Sequence, residues 1–133
     1  MQDVLPNKET IMSPFVHWFE IPVTDFERAV AFYQQVFATT LRCRDFMGER
    51  NAVFTQADGS SQGCLLASPR LRPAAQGCRL YLDGGADVAT LLARVPAAGG
   101  QVVLEKTALP EGLGHIGQFA DPDGNIIGVH SAP

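Results

Sequence analysis

Glu20 and His130 are the two side chains of this 133-residue chain whose types and surroundings best suit proton transfer. Each sits in a short run rich in aromatic and β-branched residues, Glu20 within residues 15–23 (FVHWFEIPV) and His130 at the end of residues 126–130. A carboxylate and an imidazole that converge in an apolar hollow can act as a general acid/base pair, or can hold the polar end of a ligand. Strand alternation puts Glu20 on the face of Trp18 and His130 on the face of Gly128. The bland reading is structural, with Glu20 bonded to neighbouring strand groups and His130 at a fraying end. Trp18 can stack on a planar or cationic ligand, or simply fill space. His115, just ahead of the seventh strand, suits either a rim or a solvated loop. Cys78 lies by alternation on the face of Leu80, and no cluster of cations surrounds it to favour a thiolate, so it reads as a lining residue. His17, on the face opposite Trp18, is expected to pack beneath the first helix.

These residues need elements to position them, and the chain supplies the same order twice. Residues 15–23 read as a strand. Thr24 or Asp25 then caps a helix whose stripe is Phe26, Ala29, Val30, Tyr33, Val36 and Phe37, and Glu27 completes a capping box with Thr24. Short strands follow near 40–45, 51–54 and 63–67. Residues 70–77, with two prolines, form a linker. A strand at 78–83 opens the second half, followed after Gly84-Gly85 by a helix from Asp87 with Val88, Leu91, Leu92 and Val95 in one stripe. Pro96 should tighten or bend its last turn, and Gly99-Gly100 should end it. Strands at 101–107, 115–120 and 126–130 close the chain. The last two are joined by Asp121-Pro122-Asp123-Gly124-Asn125, a hairpin turn. An echo links the halves: Phe54, Asp58-Gly59 and Gly63 match Phe119, Asp123-Gly124 and Gly128 in spacing. The fold class expected is α+β, with two tandem βαβββ modules (about 14–69 and 77–131) forming a curved mixed sheet with helices outside. The polar, aperiodic segment 1–13 is expected to fray, and Met12 is a candidate natural start. The concave face of such a sheet is a cup, the natural ligand site.

Composition narrows the function. A net charge of −4 with scattered Lys and Arg gives no basic stripe, so nucleic acid is not an expected partner. No apolar run nears the roughly eighteen residues of a membrane helix, and no signal-peptide order opens the chain, so a cytoplasmic protein with no membrane partner is expected. Cys43, Cys64 and Cys78, odd in number and far apart, argue against a disulfide framework or a zinc cluster and are expected to be buried reduced thiols.

The paired βαβββ order, IPVTDFERAVAFY early and DPDGN before the last strand, resembles the vicinal oxygen chelate superfamily, which includes glyoxalase I, bleomycin-binding proteins, fosfomycin-resistance enzymes and extradiol dioxygenases. The resemblance runs from Phe15 to Ser131 and looks most like a bacterial branch of glyoxalase-like proteins. It implies a small-molecule site in the cup, a homodimer, and in the family's enzymes a divalent metal. It places the metal-ligand positions at Trp18, Leu80, Gly63 and Gly128, none of which can hold a cation, so no metal or other cofactor is expected. The expected site is then Trp18, Glu20, Cys78, Leu80, His115 and His130 around a ligand, with Glu20 and His130 as the candidate catalytic pair. The expected function is metal-free binding of a small molecule, an aromatic or amphipathic metabolite or antibiotic. The alternatives are a glyoxalase-type lyase or isomerase, using a displaced metal held by Glu20, His115 and His130 or the Glu20/His130 pair alone, and an interaction module with an occluded cup.

Overall fold

The computed structural model describes residues 15–133, so the expectations for segment 1–13 and for Met12 lie outside the described residues. In chain order the elements are β1 (Phe19–Pro22), α1 (Phe26–Phe37), β2 (Arg42–Phe46), β3 (Glu49–Thr55), β4 (Ser61–Ala67), β5 (Tyr81–Asp83), α2 (Val88–Ala93), α3 (Val95–Ala98), β6 (Gln101–Ala108), β7 (His115–Ala120) and β8 (Ile126–Ser131). Asp25, not Thr24, is the cap of α1: its backbone is extended and its carboxylate accepts the Arg28 N–H at 3.2 Å. Asp87 caps α2 in the same way, accepting the Ala89 N–H at 2.9 Å. Pro96 does more than bend the second helix. It sits in the first turn of α3 and splits the helix in two, and Gly99, with φ 107°, ends it.

The two βαβββ modules and the α+β class are as expected, but the hydrogen bonding makes two four-stranded sheets, not one ladder. Their orders are β1-β4-β3-β2 and β5-β8-β7-β6, with β1/β4 and β5/β8 parallel and the other pairs antiparallel. One hydrophobic core serves both modules, running from Ile21, Phe26, Ala29, Tyr33 and Leu65 to Leu91, Leu92, Phe119 and Val129. Phe32, outside the expected helix stripe, is fully buried because α1 faces the second module as well as its own sheet: its ring lies against Phe119, 5.6 Å between centroids, and against Gly100.

The DPDGN turn fastens the modules together. Asp121 accepts the Tyr33 hydroxyl at 2.7 Å, the Asn125 side-chain amide at 2.9 Å, and the backbone N–H groups of Asp123 and Asn125. Asn125 also donates to the Pro22 carbonyl at 2.8 Å and accepts the Ala74 N–H at 3.0 Å, pinning the linker. Asp123 accepts the N–H and hydroxyl of Thr24, with the Arg28 guanidinium 3.3 Å away. The turn residues therefore close a hairpin and also satisfy backbone and side-chain groups of the other module.

Register decides which side chains face away from this core. In the first sheet Phe19, Ile21, Ala52, Phe54 and Leu65 pack into it, so Trp18, Glu20, Asn51, Val53, Cys64 and Leu66 take the opposite face. In the second sheet Leu82, Phe119, Ile127 and Val129 pack inward, and Tyr81, Gln118, Gly128 and His130 face out. Two expected equivalences are therefore one residue off. The first hairpin contains a register shift between Phe54 and Thr55, so Phe54 pairs with Gly63 whereas Phe119 pairs with Ile127. Gly63 thus faces the core, and the outward position matching Gly128 is Cys64. The turn before Asp87 is likewise one residue longer than the turn before Asp25, so Leu80 packs against the core and Tyr81 takes the outward place.

Both glycines lie beneath rings, with unequal consequences. A Cβ on Gly63 would stand 2.3 Å from the Phe19 ring, and one on Gly128 would stand 2.3 Å from the Tyr81 ring. Phe19 is wedged among core aromatics, whereas Tyr81 is 40% exposed and can swing outward. Gly63→Ala is expected to destabilise by about 1–3 kcal/mol. Gly128→Ala should cost less, and equal melting shifts for the two variants would contradict this assignment of faces.

Candidate functional site

The outward face of the first sheet is a hollow built from all four of its strands. A cavity of about 230 Å³ is lined by Trp18 and Glu20 from β1, Cys64 and Leu66 from β4, Asn51 and Glu49 from β3, Arg44 and Phe46 from β2, with Met47 and Arg70 at the rim. Glu49 is committed to its neighbours: Arg70 donates to both its oxygens at 2.8 and 2.9 Å, and the Ser68 hydroxyl also donates to it. Those bonds hold the Glu49 carboxyl below its ordinary range, with the Ser68 bond first among the causes. Cys64 forms the floor. Burial pushes its thiol up to about 11, Glu20 adds to the rise and Arg44 opposes it, so it is neutral at physiological pH and a poor nucleophile. Asn51 is only 6% exposed and lines the same cavity.

The second sheet's outward face is furnished differently. Gln118 donates to the Tyr81 hydroxyl at 2.8 Å across the Gly128 backbone, and His130 Nε2 lies 2.7 Å from the Leu113 carbonyl oxygen. That distance makes Nε2 the protonated nitrogen, a donor held by the loop before β7. Gly114, with φ 101°, permits the approach, since a Cβ there would stand 2.9 Å from His130 Nε2.

The expected site residues are thus distributed as follows. Trp18 and Glu20 share the first-sheet cavity. Glu20 also reaches a second cavity, of about 190 Å³ at the module junction, with Cys78, Leu80, Arg72 and Asn125. Leu80 borders in addition a third, apolar cavity of about 330 Å³, where Phe19, Phe37 and Phe54 face Tyr81 and Leu82. His115 and His130 line none of these, and they lie on opposite faces of the second sheet, because Ile116 rather than His115 pairs with His130. Within one chain Glu20 and His130 are on different sheets and share no cavity. His17 is exposed rather than packed beneath α1, because β1 begins only at Phe19. Of the cysteines only Cys64 is buried; Cys43 and Cys78 are exposed, and all three are free thiols. Arg44, Asn51, Glu49 and Arg70 were not singled out by sequence. The signal available was the alternation of Asn51 with Val53, which puts the amide on the face of Glu20 once the strands are paired.

The residues do not fit the divalent metal that the resemblance implies. At the outward positions stand Glu20 beside Cys64 and Tyr81 beside Gly128, with Trp18 two residues before Glu20, so a single carboxylate stands there and the one sulfur donor is held as a neutral thiol between apolar neighbours. Among the described residues no three of His, Cys, Asp and Glu come together to hold an ion, Glu20, His115 and His130 included. Among the described residues, too, no helix is long and apolar enough to cross a membrane.

Comparison with known proteins agrees with this architecture. A glyoxalase-related enzyme from Fulvimarina pelagi is 27% identical with a TM-score of 0.66, over 89% of this chain and 88% of that one. TnmS3, an antibiotic-binding protein from Streptomyces sp. CB03234, is 25% identical with a TM-score of 0.63, over 92% of this chain and 99% of that one. A family enzyme from Burkholderia phytofirmans PsJN, 17% identical with a TM-score of 0.63 over 89% and 98% of the two chains, shares the fold. No curated protein matches the chain. The family model matches residues 15–129, nearly the whole two-module unit described above, and the chain belongs to the Glyoxalase/Bleomycin resistance protein/Dioxygenase superfamily.

Proposed function

We propose that this chain binds a small molecule on the outward face of its first sheet, without a metal ion, and does so as a cytoplasmic homodimer. The observation that supports the reading most is the hollow itself. It pairs an accessible indole, Trp18 at 44% exposure, with an apolar floor and several polar groups, on a face where, among the described residues, no three metal donors come together. The dimer is supported by Trp18, Phe46, Met47 and Tyr81, large apolar side chains left exposed on the outward faces of both sheets, which a second copy would cover. The antibiotic-binding TnmS3 shows that a chain of this fold can serve as a binder. The lyase or isomerase alternative draws no comparable support, since its Glu20/His130 pair is divided between sheets and its displaced metal trio does not converge.

The test is a thermal-shift panel. A ligand that binds only the native state raises the melting temperature, so selected small organic molecules should stabilise the protein while Ni²⁺, Zn²⁺, Mn²⁺ and Mg²⁺ should not. A stoichiometric ion retained through purification without chelator would overturn the metal-free reading. Sedimentation giving only monomer at tens of micromolar would overturn the dimer.

A further inference from the structure

The outward face of the first sheet carries two charges of opposite sign that, among the described residues, are in no ion pair: Glu20 on β1 and Arg44 on β2. They stand on the two edge strands, with β4 and β3 between them. Cys64, on the intervening strand, senses both, Glu20 pushing its thiol up and Arg44 pulling it down. Glu49 and Arg70, by contrast, satisfy each other and leave little for a ligand. Between the charges lies Asn51, more than nine-tenths buried, whose polar side chain lines the cavity. An amide at the floor of the hollow can both donate to and accept from the polar head of a ligand. The remaining lining is flat or soft, with Trp18 at one end and Phe46 and Met47 at the other.

We infer that the hollow selects a small aromatic zwitterion of about amino-acid size, its cationic nitrogen toward Glu20, its carboxylate toward Arg44, its polar head on Asn51 and its ring against Trp18. This rests on the proposed binding function and specifies its ligand class. A cation alone would leave Arg44 unanswered and an anion alone would leave Glu20 unanswered, while an uncharged ring would strand all three polar groups. The cavity of about 230 Å³ limits the ligand to one or two rings.

Trp18 is the single tryptophan of the chain, so intrinsic fluorescence reports on this hollow directly. Three probes with the same ring separate the charges: L-phenylalanine, phenethylamine and 3-phenylpropionate. L-Phenylalanine is expected to perturb Trp18 fluorescence at concentrations about tenfold or more below either singly charged probe, the scale of one charge-assisted hydrogen bond. Glu20→Gln should abolish its advantage over 3-phenylpropionate, and Arg44→Gln its advantage over phenethylamine. Both residues are exposed, and an unchanged melting temperature checks that each variant folds. Equal responses to all three probes would overturn the zwitterion assignment and leave the binding site standing. Failure of every probe to change Trp18 fluorescence or the melting temperature, while unrelated organic molecules do, would also overturn the assignment. Binding that leaves Trp18 fluorescence untouched for every ligand would remove the site itself.

Discussion

Phe32→Ala is expected to lower stability by about 3–5 kcal/mol, the range for removing a fully buried aromatic ring. For a domain of this size that corresponds to a fall in melting temperature of roughly 10–20 °C, and it is a large share of a total of about 5–15 kcal/mol. The reason is position. Phe32 is 1% exposed, meets Tyr33 edge-on at 5.1 Å and Phe119 at 5.6 Å, and lies on the backbone at Gly100, so its ring belongs to both modules. Two modules sharing one core should unfold in one transition, and losing this ring should weaken that transition as a whole. Val30, half-buried on the same helix, is the control: Val30→Ala should cost about 1 kcal/mol. Calorimetry or circular dichroism reads both. A loss below about 1 kcal/mol for Phe32→Ala, or two separate transitions in the native protein, would mean that the modules hold themselves up independently.

The same residue shows where the sequence stopped being readable. The βαβββ order was legible because its punctuation is local: Asp25 and Asp87 cap helices, Gly99 ends one, and DPDGN closes a hairpin, each through chemistry within a few residues. Phe32 was not legible, because a helix stripe read against one sheet has no place for a second partner. The face of Gly63 on β4 departs from expectation for a related reason, whereas Gly128 and His130 on β8 face outward as the alternation indicates. Matching Gly63 to Gly128 assumed hairpins of equal length, but a single extra residue flips every side chain beyond it to the other face, and nothing in the spacing of Phe, Asp-Gly and Gly reveals which hairpin carries it. Leu80 moved to the core by the same mechanism, one residue in the Gly84-Gly85 turn. On β1 the alternation of Trp18 with Glu20 needed no such comparison between repeats, and there the sequence and the hollow agree. Arg44 and Asn51 required strand pairing across the whole first sheet, which no local pattern supplies. Strand β2, RCRDF, is exposed throughout and has no apolar alternation to orient it.

The second large effect is expected at Asp121, which is 4% exposed and accepts four hydrogen bonds from groups of both modules. Asp121→Ala strands the Tyr33 hydroxyl, the Asn125 amide and two backbone N–H groups, each costing about 1–3 kcal/mol where water cannot replace the lost acceptor. Partial rehydration of the turn reduces that sum, and a net loss of about 3–5 kcal/mol is expected. Tyr33→Phe should cost less, because it removes the donor together with its need, leaving Asp121 three of its four bonds. The two variants also differ in their dependence on pH. Burial raises the Asp121 carboxyl above its ordinary 3.8, against the pull of Asn125 and Tyr33, and burial together with Asp121 holds the Tyr33 hydroxyl well above 10.0. Both folded values exceed the unfolded ones, so each group contributes stability that is complete below its unfolded pKa and is lost as pH rises through the folded one. Asp121 acts in the acid range just above 3.8, Tyr33 only above 10. The carboxylates Glu49, Asp58 and Asp87 have lowered values, so their contributions run the other way, lost as pH falls through their folded pKa. Urea melts from pH 4 to pH 11 should therefore show alkaline weakening in the native protein, part of it from the Cys64 thiol, which burial also raises, and part from Tyr33, which Tyr33→Phe removes. Identical alkaline slopes in the native protein and Tyr33→Phe would show that the Tyr33 hydroxyl is not buried against Asp121, and the clamp between the modules would have to be sought elsewhere.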